Sequence, residues 1–184
     1  MLEPSRWSGT RRLRSFCAAL AGALILSAAV ASAQTGWANR VDTFLGTSPM
    51  VSAPLVSADA AGNVVAVWSQ LTSTGQEAVR AARFVASAGV WAGSVDLSSA
   101  GTIQSAGFPA VALNDAGDGV AVWLQGPGVV RAARYAAATD TWSPAVDVAL
   151  SGTAPVVAIA ASGDAVTLWS GPTGADTVIK AARY

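Results

Sequence analysis

Arginine, tryptophan and aspartate are the side chains of this 184-residue chain best equipped to hold a ligand, and all three recur at fixed spacing. The basic residues come in pairs three apart: Arg80 and Arg83, Arg131 and Arg134, Lys180 and Arg183. Each pair sits in the same local pattern, V-R-A-A-R-(F/Y), written Ile179-Lys180-Ala181-Ala182-Arg183-Tyr184 the third time. Guanidinium groups bind carboxylates in a planar, bidentate way. Arg83, Arg134 and Arg183 converging on a central channel would therefore hold an anionic ligand. In a strand, however, positions i and i+3 point to opposite faces. One member of each pair is then free to meet a carboxylate such as Asp96 or Asp147 on a neighbouring strand, as a structural ion pair.

Six tryptophans follow residue 33: Trp37, Trp68, Trp91, Trp123, Trp142 and Trp169. Trp68, Trp123 and Trp169 each end an apolar β-branched run, which points to packing between neighbouring units; a buried aromatic of this kind covers roughly 150–250 Å². Trp91 and Trp142 lie among small and polar residues near loops. They are the rings best placed to stack on a pyranose, and with Arg83, Arg134 and Arg183 they make up the candidate ligand-binding set.

Catalytic chemistry is thin. There is no histidine, which removes the commonest general base and metal ligand. The one cysteine, Cys17, precedes residue 34, and Glu77 is the only glutamate after it. Hydrolysis by paired carboxylates would have to draw on Glu77 with an aspartate, yet the aspartates fall in turns or repeat identically. Asn114-Asp115-Ala116-Gly117-Asp118-Gly119 opens like a calcium loop, but Ala116 takes a ligand position and Gln125 stands where a bidentate glutamate is needed. It reads as a hairpin turn. No catalytic residue, metal site or cofactor is assigned.

These residues are carried by a unit of about fifty residues present three times, and fixed-period self-similarity implies stacked supersecondary units. Pro54–Trp68 matches Pro109–Trp123 and Pro155–Trp169. Each copy divides into four extended segments. Segment a starts at the proline. A Gly/Asx turn follows, as in Asp59-Ala60-Ala61-Gly62-Asn63. Segment b is Val64–Trp68 and its equivalents, segment c the arginine motif, and segment d runs from the second tryptophan to the Val-Asp pair, Trp91 to Asp96 and Trp142 to Asp147. Gly126-Pro127-Gly128 and Gly171-Pro172-Thr173-Gly174 read as loops between b and c.

Four antiparallel strands per unit of this length predict an all-β fold of β-propeller-type blades. The blade units span about 54–98, 109–148 and 155–184. Residues 37–45 add a stray segment d, Trp37-Ala38-Asn39-Arg40-Val41-Asp42. The order d-abcd-abcd-abc invites closure by a swapped strand, which leaves no open edge. Three blades fall short of the usual ring of about four or more. Association of copies into a six-bladed ring, a relative shortened from a longer repeat protein, and another closed β arrangement are the alternatives.

Residues 1–33 read as a signal peptide: Arg11, Arg12 and Arg14, an apolar run over 17–30, then Ala31-Ser32-Ala33 before a cleavage near Gln34. The alternative is a membrane anchor, for which the run is short. The domain is then 34–184 and exported, to the periplasm or outside the cell, with no membrane span after processing. Four of the eleven basic residues and one of the eleven acidic ones leave with the signal, so the remainder is mildly acidic and offers nucleic acid no basic stripe.

The pattern G-(N/D)-x-V-A-V-W, then V-R-A-A-R-(F/Y), then W-x-x-x-V-D resembles the repeat units of bacterial exported β-propeller proteins of sialidase-like or WD40-like type, over nearly all of 34–184. The resemblance implies architecture. The sialidase Asp-box, S-x-D-x-G-x-T-W, is not intact: Ser57-Ala58-Asp59-Ala60-Ala61-Gly62 has one residue too many, Trp68 comes too late, and Ser162-Gly163-Asp164 fails at the glycine. Sialidase chemistry is therefore not carried over. The expected function is a non-catalytic exported scaffold presenting loops to a protein or matrix. The alternatives are a propeller lectin using the rings and arginines named above, and a glycosidase- or sialidase-like enzyme. Expected partners are a protein or glycan, and further copies of the chain completing a ring.

Overall fold

Alternating branched and small residues, punctuated by Gly/Asx turns, fold into thirteen strands and no helix among the described residues. The structure, a computed structural model, describes residues 51, 54–73, 75–98 and 107–184. The expected signal peptide over 1–33 and the expected segment d over 37–45 lie outside the described residues.

Sheet 1 comprises β1 (Leu55–Ala58), β2 (Val64–Leu71), β3 (Glu77–Val85), β4 (Val90–Trp91) and β5 (Val95–Asp96). Sheet 2 repeats it with β6 (Ala110–Leu113), β7 (Gly119–Gln125), β8 (Val129–Ala136), β9 (Thr141–Trp142) and β10 (Val146–Ala149). Sheet 3 has β11 (Thr153–Ile159), β12 (Ala165–Thr173) and β13 (Asp176–Arg183). All pairings are antiparallel; the first three strands of each sheet pair in chain order, and the third strand of sheets 1 and 2 also pairs with both short strands that follow it. The described residues are thus an all-β structure of three meandering sheets.

Two local expectations need correction. Segment d is two short strands, not one, because Ala92-Gly93-Ser94 and Ser143-Pro144-Ala145 interrupt the ladder; Pro144 has no N–H to donate. Residues 171–173 belong to β12, so that hairpin turns at Gly174-Ala175, more tightly than expected. Pro172 is tolerated there because β11 pairs with β12 only as far as Ser170, leaving one side of the strand open.

The turns between the first two strands of each sheet close alike. Gly62, Gly117 and Gly163 hold φ of 82°, 89° and 89°, left-handed values that disfavour a Cβ. The next residue then ties two hairpins together: Asn63 Oδ1 accepts from the Ala86 N–H at 3.1 Å, and Asp118 Oδ1 from the Ala137 N–H at 2.9 Å.

Strand alternation sends neighbouring residues to opposite faces, and both faces of sheet 2 are covered. One face brings Ala121, Trp123, Ala133 and Tyr135 against Val65, Val67, Val79 and Ala81 of sheet 1. The other brings Val120 and Val122 against Ala165, Val157 and Ile159 of sheet 3, with Leu124 and Val130 on Trp169. Each interface therefore joins the valine face of one sheet to the tryptophan face of the next. Trp123 is 0% exposed. Gly152 is required beside Trp169: a Cβ there would stand 2.4 Å from the ring Cδ1 and 2.8 Å from Val130 Cγ2.

Candidate ligand-binding site

The first arginine of each pair stays within its own sheet. Arg80 and Asp96 are direct cross-strand partners, 2.7 Å apart, and Arg131 and Asp147 likewise at 2.6 Å. Cross-strand neighbours lie within side-chain reach, so the ion pair follows from the register. In sheet 2 it extends into a network: Arg131 Nη1 donates to Gln125 Oε1 at 2.8 Å, and Trp123 Nε1 donates to the same oxygen at 3.4 Å. In sheet 1 Trp68 Nε1 donates to Gln70 Oε1 at 3.1 Å. Sheet 3 has Gly171 at the glutamine position and Lys180 at the arginine position, and its buried Trp169 Nε1 has no acceptor.

The second arginine takes the opposite face and reaches the next sheet. Arg83 Nη1 lies 3.5 Å from Asp140 of sheet 2. Arg134 Nη2 donates to the Gly163 carbonyl of sheet 3 at 3.0 Å, and its guanidinium stands 4.2 Å over the Tyr184 ring. Arg183 turns back to Asp164 of its own sheet at 3.0 Å. Hydrogen bonding from Ser162, then from Arg183, holds the Asp164 carboxyl below its usual range.

Trp91 and Trp142 are half-buried. Each packs on the aromatic opposite it, Phe84 at 5.6 Å between ring centroids and Tyr135 at 5.2 Å, both tilted. Trp91 lies against Ala66, Trp68 and Ala82 of its own sheet, whereas Trp142 packs into the interface with sheet 1.

A shallow pocket of about 270 Å³ opens beside Trp142, lined by Asp118, Arg134, Tyr135, Ala136, Thr141 and Ser143. Its polar groups flank two aromatic rings, those of Trp142 and Tyr135, the arrangement that orients a polar ligand on an apolar surface. On the interface side, Trp142, Tyr135, Asp140 and Arg83 line a tighter space of about 80 Å³. Tyr135 donates its hydroxyl to Asp140. Burial, reinforced by that bond, pushes the phenol up to about 12.

Among the candidate residues, the structure joins Trp142 with Arg83 across two sheets. It also lines the outer pocket with Arg134, although that guanidinium leaves toward sheet 3. Arg134 and Arg183 line a separate cleft between sheets 2 and 3, and Trp91 lies on a different face from either. The sequence reading missed Asp118, Thr141, Ser143 and Asp140. Asp118 was visible as a turn residue, but its position beside Trp142 depends on the Tyr135↔Trp142 and Gly119↔Tyr135 registers. Among the described residues no three acidic, histidine or cysteine side chains gather as a metal site, and no helix is long and apolar enough to cross a membrane.

No protein-family model matches the chain, and no curated protein matches it in sequence. Solved structures do. The Hadza microbial sialidase Hz136 superposes with a TM-score of 0.52 at 14% identity, over 74% of this chain and 35% of that one. The intramolecular trans-sialidase from Ruminococcus gnavus, in complex with oseltamivir carboxylate, gives 0.46 at 8% identity, over 73% and 32%. The chain spans about a third of the length of these proteins. The likeness to the first is one of fold, and that fold is the sialidase type of stacked antiparallel sheets.

Proposed function

We propose that this protein is an exported, non-catalytic scaffold that binds a protein or matrix partner through the loops around Trp142. The observation that carries this reading is the use made of its charged side chains. Arg80, Arg83, Arg131, Arg134 and Arg183 each join strands or sheets through a named partner. Groups engaged in holding a sheet stack together are poorly free to cycle through a reaction. The pocket beside Trp142 instead has the indole ring, the Asp118 carboxylate and the Thr141 and Ser143 hydroxyls in its lining.

A second reading has a specific observation in its favour. An aromatic ring flanked by Asp118, Thr141 and Ser143 supplies both the stacking surface and the hydroxyl-directed hydrogen bonds that a carbohydrate uses. The sialidase-type fold is compatible with a lectin, though fold alone does not bring sialic acid chemistry with it. A glycan array separates the two readings. Selective glycan binding that disappears in Trp142→Ala and weakens in Thr141→Ala, with an unchanged β-sheet circular dichroism spectrum, establishes the lectin. Turnover of a fluorogenic glycoside, abolished by Glu77→Gln, would overturn both.

A further inference from the structure

We infer that the pocket beside Trp142 takes a lysine or arginine side chain of the protein partner, its cationic head on Asp118 and its stem along the indole. This rests on the protein-binding reading above and names the chemistry by which that partner is recognised.

The first observation is an uncommitted carboxylate oxygen. Asp118 follows the left-handed glycine of its turn, and its Oδ1 is structural, accepting from the Ala137 N–H at 2.9 Å. Asn63 makes the same bond to Ala86 from the same place in sheet 1, so the turn needs an acceptor there and not a charge. Asp118 Oδ2 has no hydrogen-bond or ion-pair partner among the described residues. The equivalent residue of sheet 3 shows what such a carboxylate takes: Asp164 Oδ1 accepts from Arg183 Nη2 at 3.0 Å. In sheet 2 the matching arginine is committed elsewhere. Arg134 Nη2 donates to the Gly163 carbonyl, and its guanidinium stands over the Tyr184 ring. Asp118 is left without a cation from its own sheet.

The second observation is the aromatic lining of the same pocket. Trp142 and Tyr135 line it together with Asp118, their ring centroids 5.2 Å apart. The face of a tryptophan ring attracts a cation through its quadrupole. A long basic side chain also lays its methylene stem on apolar surface while its head stays in a polar setting. The pocket holds about 270 Å³. That is below the roughly 300 Å³ at which sites for whole small molecules begin, and it suits one side chain of a larger partner.

The third observation decides between a cation and a neutral ligand. The hydroxyls of the pocket are already engaged. Ser143 Oγ accepts from the Arg134 N–H at 3.0 Å and donates to the Pro144 carbonyl at 3.1 Å. Thr141 Oγ1 shares a hydrogen bond with Thr139 Oγ1 at 2.7 Å. The open group is therefore the charged acceptor, which favours a cation over a sugar. The surrounding charge agrees. Asp115 is exposed on the same turn, and Asp59 of sheet 1 stands against it, since a Cβ on Gly117 would lie 2.9 Å from Asp59 Oδ2. Complementary charge of this kind steers a basic partner and rejects an acidic one.

The test selects random peptides displayed on phage against the full chain, with counter-selection on Trp142→Ala. The recovered peptides should share a lysine or arginine, and replacing that residue by norleucine should abolish binding. Asp118→Asn keeps the turn bond, as Asn63 does in sheet 1, so its circular dichroism spectrum should match that of the parent chain. It should weaken peptide binding about fivefold, the worth of one exposed charge pair. Added salt should weaken binding to the parent chain and leave binding to Asp118→Asn nearly unchanged. Peptides that depend on Trp142 but carry no basic residue, or that bind Asp118→Asn as well as the parent chain, overturn this inference and leave the protein-binding reading standing. Recovery of no Trp142-dependent peptide, or of selective glycan binding alone, overturns both.

Discussion

Restoring a glutamine to the third sheet should stabilise the protein. Trp68 and Trp123 donate their indole N–H groups to Gln70 and Gln125, two residues on and on the same strand face. Trp169 is 6% exposed, and its Nε1 is buried without an acceptor because residue 171 is glycine. A buried donor left unpaired costs about 1–3 kcal/mol, whereas a bond made in the folded state returns about 1 kcal/mol net. Replacing glycine within a strand also lowers the entropy of the unfolded chain, worth about 0.5–1 kcal/mol. Against this, a Cβ at 171 would lie 3.2 Å from Lys180 Cδ and 3.3 Å from the Ser151 carbonyl oxygen. The lysine stem moves readily; the carbonyl requires a shift of a few tenths of an ångström. Gly171→Ala bears the same crowding and the same backbone gain without the amide, so it isolates the hydrogen bond. Gly171→Gln should exceed Gly171→Ala by about 1 kcal/mol, or about 3 °C in Tm for a domain of this size. Denaturant titration and calorimetry measure the difference. Equal stability of the two variants would refute the account of Trp169 as an orphaned donor.

The same sheet stack makes other outcomes measurable. Gly152→Ala should cost about 1–3 kcal/mol in denaturant unfolding, because its methyl group meets the Trp169 ring and Val130 in a packed core. Trp123→Ala should cost about 3–5 kcal/mol, since the ring is fully buried between two sheets. Burial, then the hydrogen bond to Asp140, pushes the Tyr135 phenol from its ordinary 10.0 up to about 12, so its protonated form favours the native state. That contribution is complete below about pH 10 and is lost as pH rises toward about 12. Tyr135→Phe should flatten the fall in Tm over that window. Asp59 behaves in the opposite sense. Burial raises it, but hydrogen bonds from the Asn63 side chain, then the Asn63 and Ala61 backbone, outweigh burial and lower it. Its contribution is present above about pH 4 and fades as acid protonates it, which Asp59→Asn should remove from the acid limb of the stability curve.

Much of the architecture was legible because it depends on neighbours in sequence. The Val64–Trp68 run and the glycine of each turn specify a hairpin by alternation and by left-handed backbone, and both are local. The Arg80–Asp96 and Arg131–Asp147 pairs were legible too, since opposite parity of i and i+3 leaves only one arginine facing the carboxylate strand. The break in each fourth strand was less so, although Gly93 and Pro144 mark it. The grouping of Arg83 with Asp140, Tyr135 and Trp142 was not legible at all. Within the narrow space between sheets 1 and 2, the Trp142 ring meets Arg83, the arginine of the copy before its own.

The amino-acid sequence by itself determined the repeat, the strands, the turns and the side chains able to pair within one sheet. These follow from backbone preference and from a two-residue period that acts over a few positions. The stacking of one sheet's valine face on the next sheet's tryptophan face was decided only in three dimensions. Burial of apolar surface has no direction along the chain, so the residues it brings together come from different copies. The Arg83–Asp140 contact and the narrow space it shares with Trp142 between sheets 1 and 2 are products of that stacking.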